Sequence, residues 1–380
     1  MAAERPRFER LRPLARWETG LVVVALAVVL LGVSTSPEFL TSRNFFYMSL
    51  NVGEVAIMAL PMTLIIVAGE IDLSVASTLG MASALLGLLW SDGWPMPAIL
   101  IVVLLVGALA GLLNALLITR LGLPSLAVTI GTLTLYRGIA LILLGPNTVS
   151  NFPTAYTNIG IEPFPGTDIP YSIVVFLALA IVFGVILHAT PVGRSLFAIG
   201  SNQEAALYSG IRVKRMKTLL YVASGVICSF AGILYTFRLS TSIADNGTGL
   251  ELNVVAVVLF AGVSIFGGKG SIVGVVLAVF TFAAIQNALL LINFNESAAG
   301  IVTGALLLVS VLLPTAFARF SHIRKGPNGT VRVQSEDRSG TATPIHGDEQ
   351  RPPGLEPATA RESTRWRSAT EPRTAQGGGR

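Results

Sequence analysis

Ala198-Ile199-Gly200-Ser201-Asn202-Gln203-Glu204-Ala205-Ala206-Leu207-Tyr208-Ser209-Gly210-Ile211 is a polar insertion between two long apolar runs. It reads as a short helix. Ser201 and Glu204 have the spacing of a reciprocal N-terminal cap, in which the serine accepts from the third helical N–H and the glutamate reaches back. Gly210 is placed to take the left-handed conformation that closes such a helix about two turns later. A helix this short is marginal alone in water. It is therefore expected to rest on a neighbour and press against something else.

The flanking runs decide the class. The chain has 380 residues, of which 52% are hydrophobic and 12% charged, against about 25% charged in a soluble domain. Apolar stretches long enough to cross a bilayer core fall near 19–35, 45–68, 74–90, 97–119, 125–144, 171–188, 218–238, 253–267, 271–292 and 298–314. This pattern predicts an all-α polytopic membrane protein of about ten transmembrane helices, some broken or re-entrant, plus the short cytoplasmic helix. The expected organisation is a basic cytoplasmic N-terminus over 1–18, a transmembrane domain over 19–314 and a largely disordered cytoplasmic tail over 315–380. The tail is rich in Pro, Gly, Ser and Thr and has too few apolar residues to offset its ordering entropy.

Charge orients the spans. Arg5, Arg7, Arg10, Arg12 and Arg16 precede the first, Arg120 follows the fourth, and Arg194, Arg212, Lys214, Arg215 and Lys217 follow the sixth. Lys269 follows the eighth; Arg319, Arg324 and Lys325 follow the tenth. All fall on one side, which the positive-inside rule makes cytoplasmic, together with both termini. Arg43 and Arg238 are the exceptions. The stretch 146–170 holds Glu162 and Asp168 but no Lys or Arg, as an external loop should. No small-residue cleavage site follows the first apolar run, so that span is expected to be retained. The net charge of +5 follows this topology and does not suggest nucleic acid as a partner.

Catalysis finds little support. The histidines are His188, His322 and His346, with no Cys/His spacing for a metal. Cys228 lies within an apolar span as a packing residue. Gly267-Gly268-Lys269-Gly270-Ser271 imitates a phosphate loop, but Val263 occupies the first glycine position and Gly270 replaces the magnesium-binding Ser or Thr. ATP hydrolysis by this chain is not expected, nor any bound metal or cofactor.

Polar residues at membrane depth are candidates for a translocation path. Glu70, Asp72 and Ser74 interrupt two apolar helices; Asp72 with Ser74 can cap the second of them or contact a substrate along a broken helix. Glu54 lines a path or pairs with Arg137 or Arg43. Thr129, Thr132 and Tyr136 share one helix face beside Arg137, suited equally to binding a polyol and to hydrogen bonding between helices. Gly107 with Gly111, Gly270 with Gly274 and Gly300 with Gly304 read as packing contacts.

Four motifs, in order, carry a family resemblance: Gly69-x-Ile71-Asp72-Leu73-Ser74; Thr129-x-Gly131-Thr132-x3-Tyr136-Arg137-Gly138; Gly200-x-Asn202-x2-Ala205-Ala206-x3-Gly210-Ile211; and Phe266-Gly267-Gly268-x-Gly270-Ser271. Over residues 17–314 the chain resembles the ribose-type permeases of bacterial ABC sugar importers, related to ribose, xylose, rhamnose and autoinducer-2 permeases. The resemblance implies a bacterial inner-membrane permease dimer, formed with a second copy or a paralogue. It also implies a cytoplasmic ABC ATPase that uses ATP and Mg, and an extracytoplasmic sugar-binding protein that delivers substrate onto loops near 146–170 and 239–252. Gly200, Ser201, Asn202, Glu204, Ala205, Ala206 and Gly210 would form the ATPase-coupling helix. The family pattern Gly-Gly-Ile-Asp-Leu-Ser-Val-Gly is altered here by Glu70 and Ala76. The competing reading, suggested by Glu54, Glu70 and Asp72, is an ion-coupled secondary sugar transporter. A membrane enzyme is disfavoured because the inner loops are too short to build a site.

Overall fold

The computed structural model describes residues 17–294 and 300–312. The arginines of 1–16, the segment 295–299 and the residues from 313 onward, including the expected tail, lie outside them. The helices are α1 (Trp17–Thr35), α2 (Ser42–Val67), α3 (Val75–Ser91), α4 (Met96–Thr119), α5 (Ser125–Leu144), α6 (Thr154–Ile161), α7 (Tyr171–Ala189), α8 (Pro191–Ser201), α9 (Gln203–Tyr208), α10 (Val213–Leu239), α11 (Leu250–Phe260) and α12 (Ile272–Leu291). Gly300–Leu312 forms a further apolar helix, α13. Among the described residues, seven helices (α1, α2, α4, α5, α7, α10 and α12) are long and apolar enough to cross a membrane. Three of the ten expected spans correspond instead to the shorter apolar helices α3, α11 and α13.

Burial sorts these helices. α2 is covered almost all round, as expected of a helix apolar on every face, and it packs against α7, α10, α11 and α12. By contrast α1, α4 and α7 leave Leu30, Leu105 and Ile181 exposed, a surface suited to lipid. Helix α4 packs extensively against α10. A Cβ on Gly111 would lie 2.1 Å from the Tyr221 carbonyl oxygen, and one on Gly107 would lie 1.9 Å from Ser229 Oγ. These glycines are therefore packing residues, as expected. Among the described residues, nothing lies within 4 Å of a Cβ at Gly300 or Gly304.

The expected span 253–267 is corrected. α11 has 11 residues, about 16 Å at 1.5 Å per residue, roughly half of a hydrocarbon core of about 30 Å. The irregular chain 240–249 precedes it and sinks between α3 and α5. There Ser242 Oγ donates to the Ser83 carbonyl at 2.7 Å, and Asn246 Nδ2 donates to Ser83 Oγ at 2.8 Å. Arg137 Nη1 donates to the carbonyls of Ala244 and Asn246 at 3.2 and 2.9 Å. Non-helical backbone at membrane depth is tolerated where protein satisfies its polar groups. The stretch 146–170 is likewise more than a loop. It contains α6, whose Gly160 lies directly against the Phe237–Arg238 backbone.

Candidate functional site

At the end of the bundle where α2 stops, three separate motifs meet backbone to backbone. Gly268 N–H donates to the Val67 carbonyl at 2.9 Å. Gly200 lies so close that a Cβ there would be 1.9 Å from the same oxygen, and one on Gly267 would fall 2.8 Å from the Gly200 carbonyl oxygen. The phosphate-loop imitation is thus a bracket between helices. Its Ser271 caps α12, accepting from Gly274 N–H at 3.3 Å.

The polar insertion forms α8 and α9 on this junction. The expected Ser201–Glu204 box is corrected, because α8 continues through Ser201, whose hydroxyl donates back to the Phe197 carbonyl at 2.8 Å. An N-cap needs non-helical backbone. Asn202 is the first residue to provide it, and its Oδ1 accepts from Ala205 N–H at 2.9 Å. Glu204 becomes the second residue of α9, exposed near its positive end. Gly210, at φ +83°, closes the helix as expected: its N–H donates to Leu207, and Ile211 N–H donates to Ala206. Within α9 only Ala206 is buried, while Leu207 is 60% and Tyr208 89% exposed. Phe266, one residue from the Gly267 bracket, is 83% exposed.

A side-chain strap reinforces the junction. Lys217 on α10, itself buried, holds both Glu70 and the Gln203 side chain of α9. Glu70 is therefore engaged with the polar insertion. Sequence reasoning missed both Lys217 and Gln203, since pairing across 147 positions leaves no local signal.

Asp72 lies just beyond the strap, 3% exposed. Its Oδ1 accepts from Ser74 N–H at 3.0 Å and from Ser74 Oγ at 2.6 Å; its Oδ2 accepts from Ser224 Oγ at 3.0 Å. It thus braces Ser74, the residue before α3, but no side chain caps the free N–H groups of that helix, so the expected capping role is corrected. Asn114 Nδ2 donates to Ser74 Oγ at 2.8 Å, and the Tyr136 hydroxyl donates to the Ala110 carbonyl at 2.7 Å. Tyr221 OH donates to the Ile71 carbonyl at 3.2 Å, and Ile71 N–H donates to Ser125 Oγ at 3.3 Å. Thr129 and Thr132 donate to carbonyls of their own helix, Ser125 and Val128. Asp72, Ser74 and Tyr136 therefore stitch α3, α4, α5 and α10 around the broken segment 68–74.

Glu54 and Arg137 stand apart. The expected Glu54 pairing with Arg137 or Arg43 is corrected: Arg238 Nε donates to Glu54 Oε1 at 2.9 Å, and the carboxylate residue is 1% exposed. The antiparallel run of α2 against α10 puts Arg238 opposite Glu54 and Lys217 opposite Glu70. Both exceptions to the charge bias are accounted for. Arg238 is neutralised by Glu54 and stacked over Tyr235 at 5.0 Å, while Arg43 sits 5.9 Å over the Tyr47 ring. Among the described residues, no three His, Cys, Asp or Glu side chains gather to hold a metal.

A family model described as the permease component of the branched-chain amino acid transport system matches residues 44–311. The autoinducer 2 import system permease protein LsrD of Yersinia enterocolitica is 34% identical over 303 residues, covering 78% of this chain and 91% of that protein. Its counterparts in Escherichia coli K12 and Shigella flexneri are each 33% identical over 302 residues, with the same coverage. No solved structure matches the chain.

Proposed function

The chain belongs to the branched-chain amino acid transport system / permease component family, and from that premise we propose that it is the membrane-spanning subunit of an ATP-binding cassette importer. Its cargo is a small sugar-like molecule, of the monosaccharide or autoinducer-2 class, handed over by an extracytoplasmic binding protein. A separate ATPase subunit supplies the energy and keeps ATP and Mg to itself. Two permease subunits, identical or paralogous, enclose the path.

The observation that supports this reading is α9. It is capped at both ends, rests on one buried alanine, and turns Leu207 and Tyr208 outward. An apolar pair held so rigidly on a polar insertion suits a protein partner. Arg120, Arg194, Arg212, Lys214, Arg215 and Lys269 lie at the same end of the bundle, which the charge rule makes cytoplasmic. An ATPase that docked there would move α9. The Gly200–Val67 contact and the Glu70–Lys217 pair would carry that movement into the broken segment 68–74 and tilt the bundle between outward- and inward-open states.

The test is Tyr208→Asp in proteoliposomes carrying the permease with its ATPase and binding protein. Membrane insertion should be unchanged, while ATPase retention and ATP-driven uptake fall to background. Undiminished uptake by this variant would remove α9 from the docking role. Uptake that persists without ATP and collapses with an ionophore would mark an ion-coupled carrier instead.

A further inference from the structure

Beside the coupling surface, a groove of about 440 Å³ opens between the end of α4 and the start of α10, lined by Thr119, Arg120, Lys214, Arg215, Thr218 and Leu219 among others. We propose that this groove holds the phosphate headgroup of an anionic phospholipid of the surrounding leaflet. The inference needs only that α4 and α10 cross a bilayer, and so stands independently of the transport reading.

Four observations carry it. First, Arg120, Lys214 and Arg215 come from two different helices and converge on one concavity. No carboxylate among the described residues pairs with any of them, since the two ion pairs present employ Lys217 and Arg238. Second, two of these cations sit in the first turn of α10, which contains no acid and no side-chain cap. The positive end of a helix dipole disfavours cations there and favours an anion. Third, the groove lies at the ends of two helices long and apolar enough to span, the depth at which headgroup phosphates lie. Fourth, the surface continues from the basic rim onto exposed leucines: Leu113 and Leu116 on α4 and Leu219 on α10. A free phosphate ion would use only the rim. A phospholipid uses the rim and, through its acyl chain, the leucines below it.

The test uses the full chain in nanodiscs of phosphatidylcholine with and without phosphatidylglycerol, with native mass spectrometry reading the lipid retained. Wild type should keep phosphatidylglycerol in preference to phosphatidylcholine, and inorganic phosphate should compete only weakly. The triple variant Arg120→Gln, Lys214→Gln, Arg215→Gln should lose that preference, by roughly a hundredfold at about one kcal/mol per basic residue. The control Arg194→Gln, a cation at the same end but outside the groove, should keep it. Equal retention of the two lipids by wild type, or undiminished preference in the triple variant, would overturn the proposal. Displacement of lipid by inorganic phosphate at matched concentration would also overturn it, in favour of a free-anion site. The wild-type comparison requires no variant to fold.

Discussion

Arg238 and Glu54 show what a single ion pair does when it is taken out of water. The carboxylate of Glu54 is almost wholly enclosed, and the guanidinium is its only charged partner among the described residues. Removing one member strands the other charge. Arg238→Met should therefore destabilise the protein by about 3–5 kcal/mol, whereas the double change Glu54→Leu with Arg238→Met should recover most of that loss. Unfolding midpoints in one detergent would decide it, and equal midpoints for the single and double variants would refute the pairing. Glu70 and Lys217 allow a sharper experiment, because Lys217 joins the Gly69–Ser74 motif to Gln203 of α9. Glu70→Gln, Lys217→Met and the double variant should give a coupling energy of about 0.5–3 kcal/mol in a double-mutant cycle. Because Lys217 also holds Gln203 of α9, the same variants should reduce ATP-driven uptake more than they reduce stability. Strictly additive effects would mean that the strap carries nothing. Asp72 was legible as an exception within an apolar run. Its donors Ser224 and, through Ser74, Asn114 were not legible, since a serine or asparagine on an apolar span looks the same whether it bonds its own helix or another.

Elements depend on where backbone comes close. Gly200→Ala adds one carbon, but that carbon would lie 1.9 Å from the Val67 carbonyl oxygen, so α8 must move away from the end of α2. Under the proposed function, the expected outcome is a permease that inserts normally and retains the proposed ATPase subunit, whose ATP hydrolysis then runs without matching uptake. Gly131→Ala, where nothing lies within 4 Å of the new carbon, is the control and should transport normally. Uptake equal to wild type in Gly200→Ala would show that the junction does not transmit motion. The short helix itself was read correctly from its polar composition and its closing glycine. Its start was misplaced by one residue because Ser201 and Asn202 are both good caps, and the choice between them rests on how far α8 continues. α8 in turn continues because Leu196 and Ile199 are buried, a tertiary matter.

Across the whole molecule, helices and cations agree on two ends. The end with Gly69, Gly200, Gly268 and Lys269 also holds Arg120 and the start of α10; the other holds α6, Asp168 and the 240–249 segment's entry into the bundle. Cys228 is the single cysteine of the chain and is buried, which permits a direct topological test. On a Cys228→Ala background, Asn202→Cys should react with an impermeant maleimide only in inside-out vesicles, and Asp168→Cys only in intact cells. The reverse pattern would invert the orientation.

The membrane class, the positions of the long helices and the family resemblance could all be read along the chain. Apolar length and local charge are properties of consecutive residues, and the four motifs that resembled ribose-type permeases lie within a chain that belongs to the permease family. What only the tertiary structure decided is which of those pieces touch. The half-length α11 with its buried lead-in, the Glu54–Arg238 and Glu70–Lys217 pairs, and the meeting of Val67, Gly200 and Gly268 each join residues far apart in sequence. Such contacts depend on which helices lie side by side. In an interior that is apolar almost everywhere, hydrophobicity does not choose the neighbours; close backbone fit and the pairing of a few buried polar groups do.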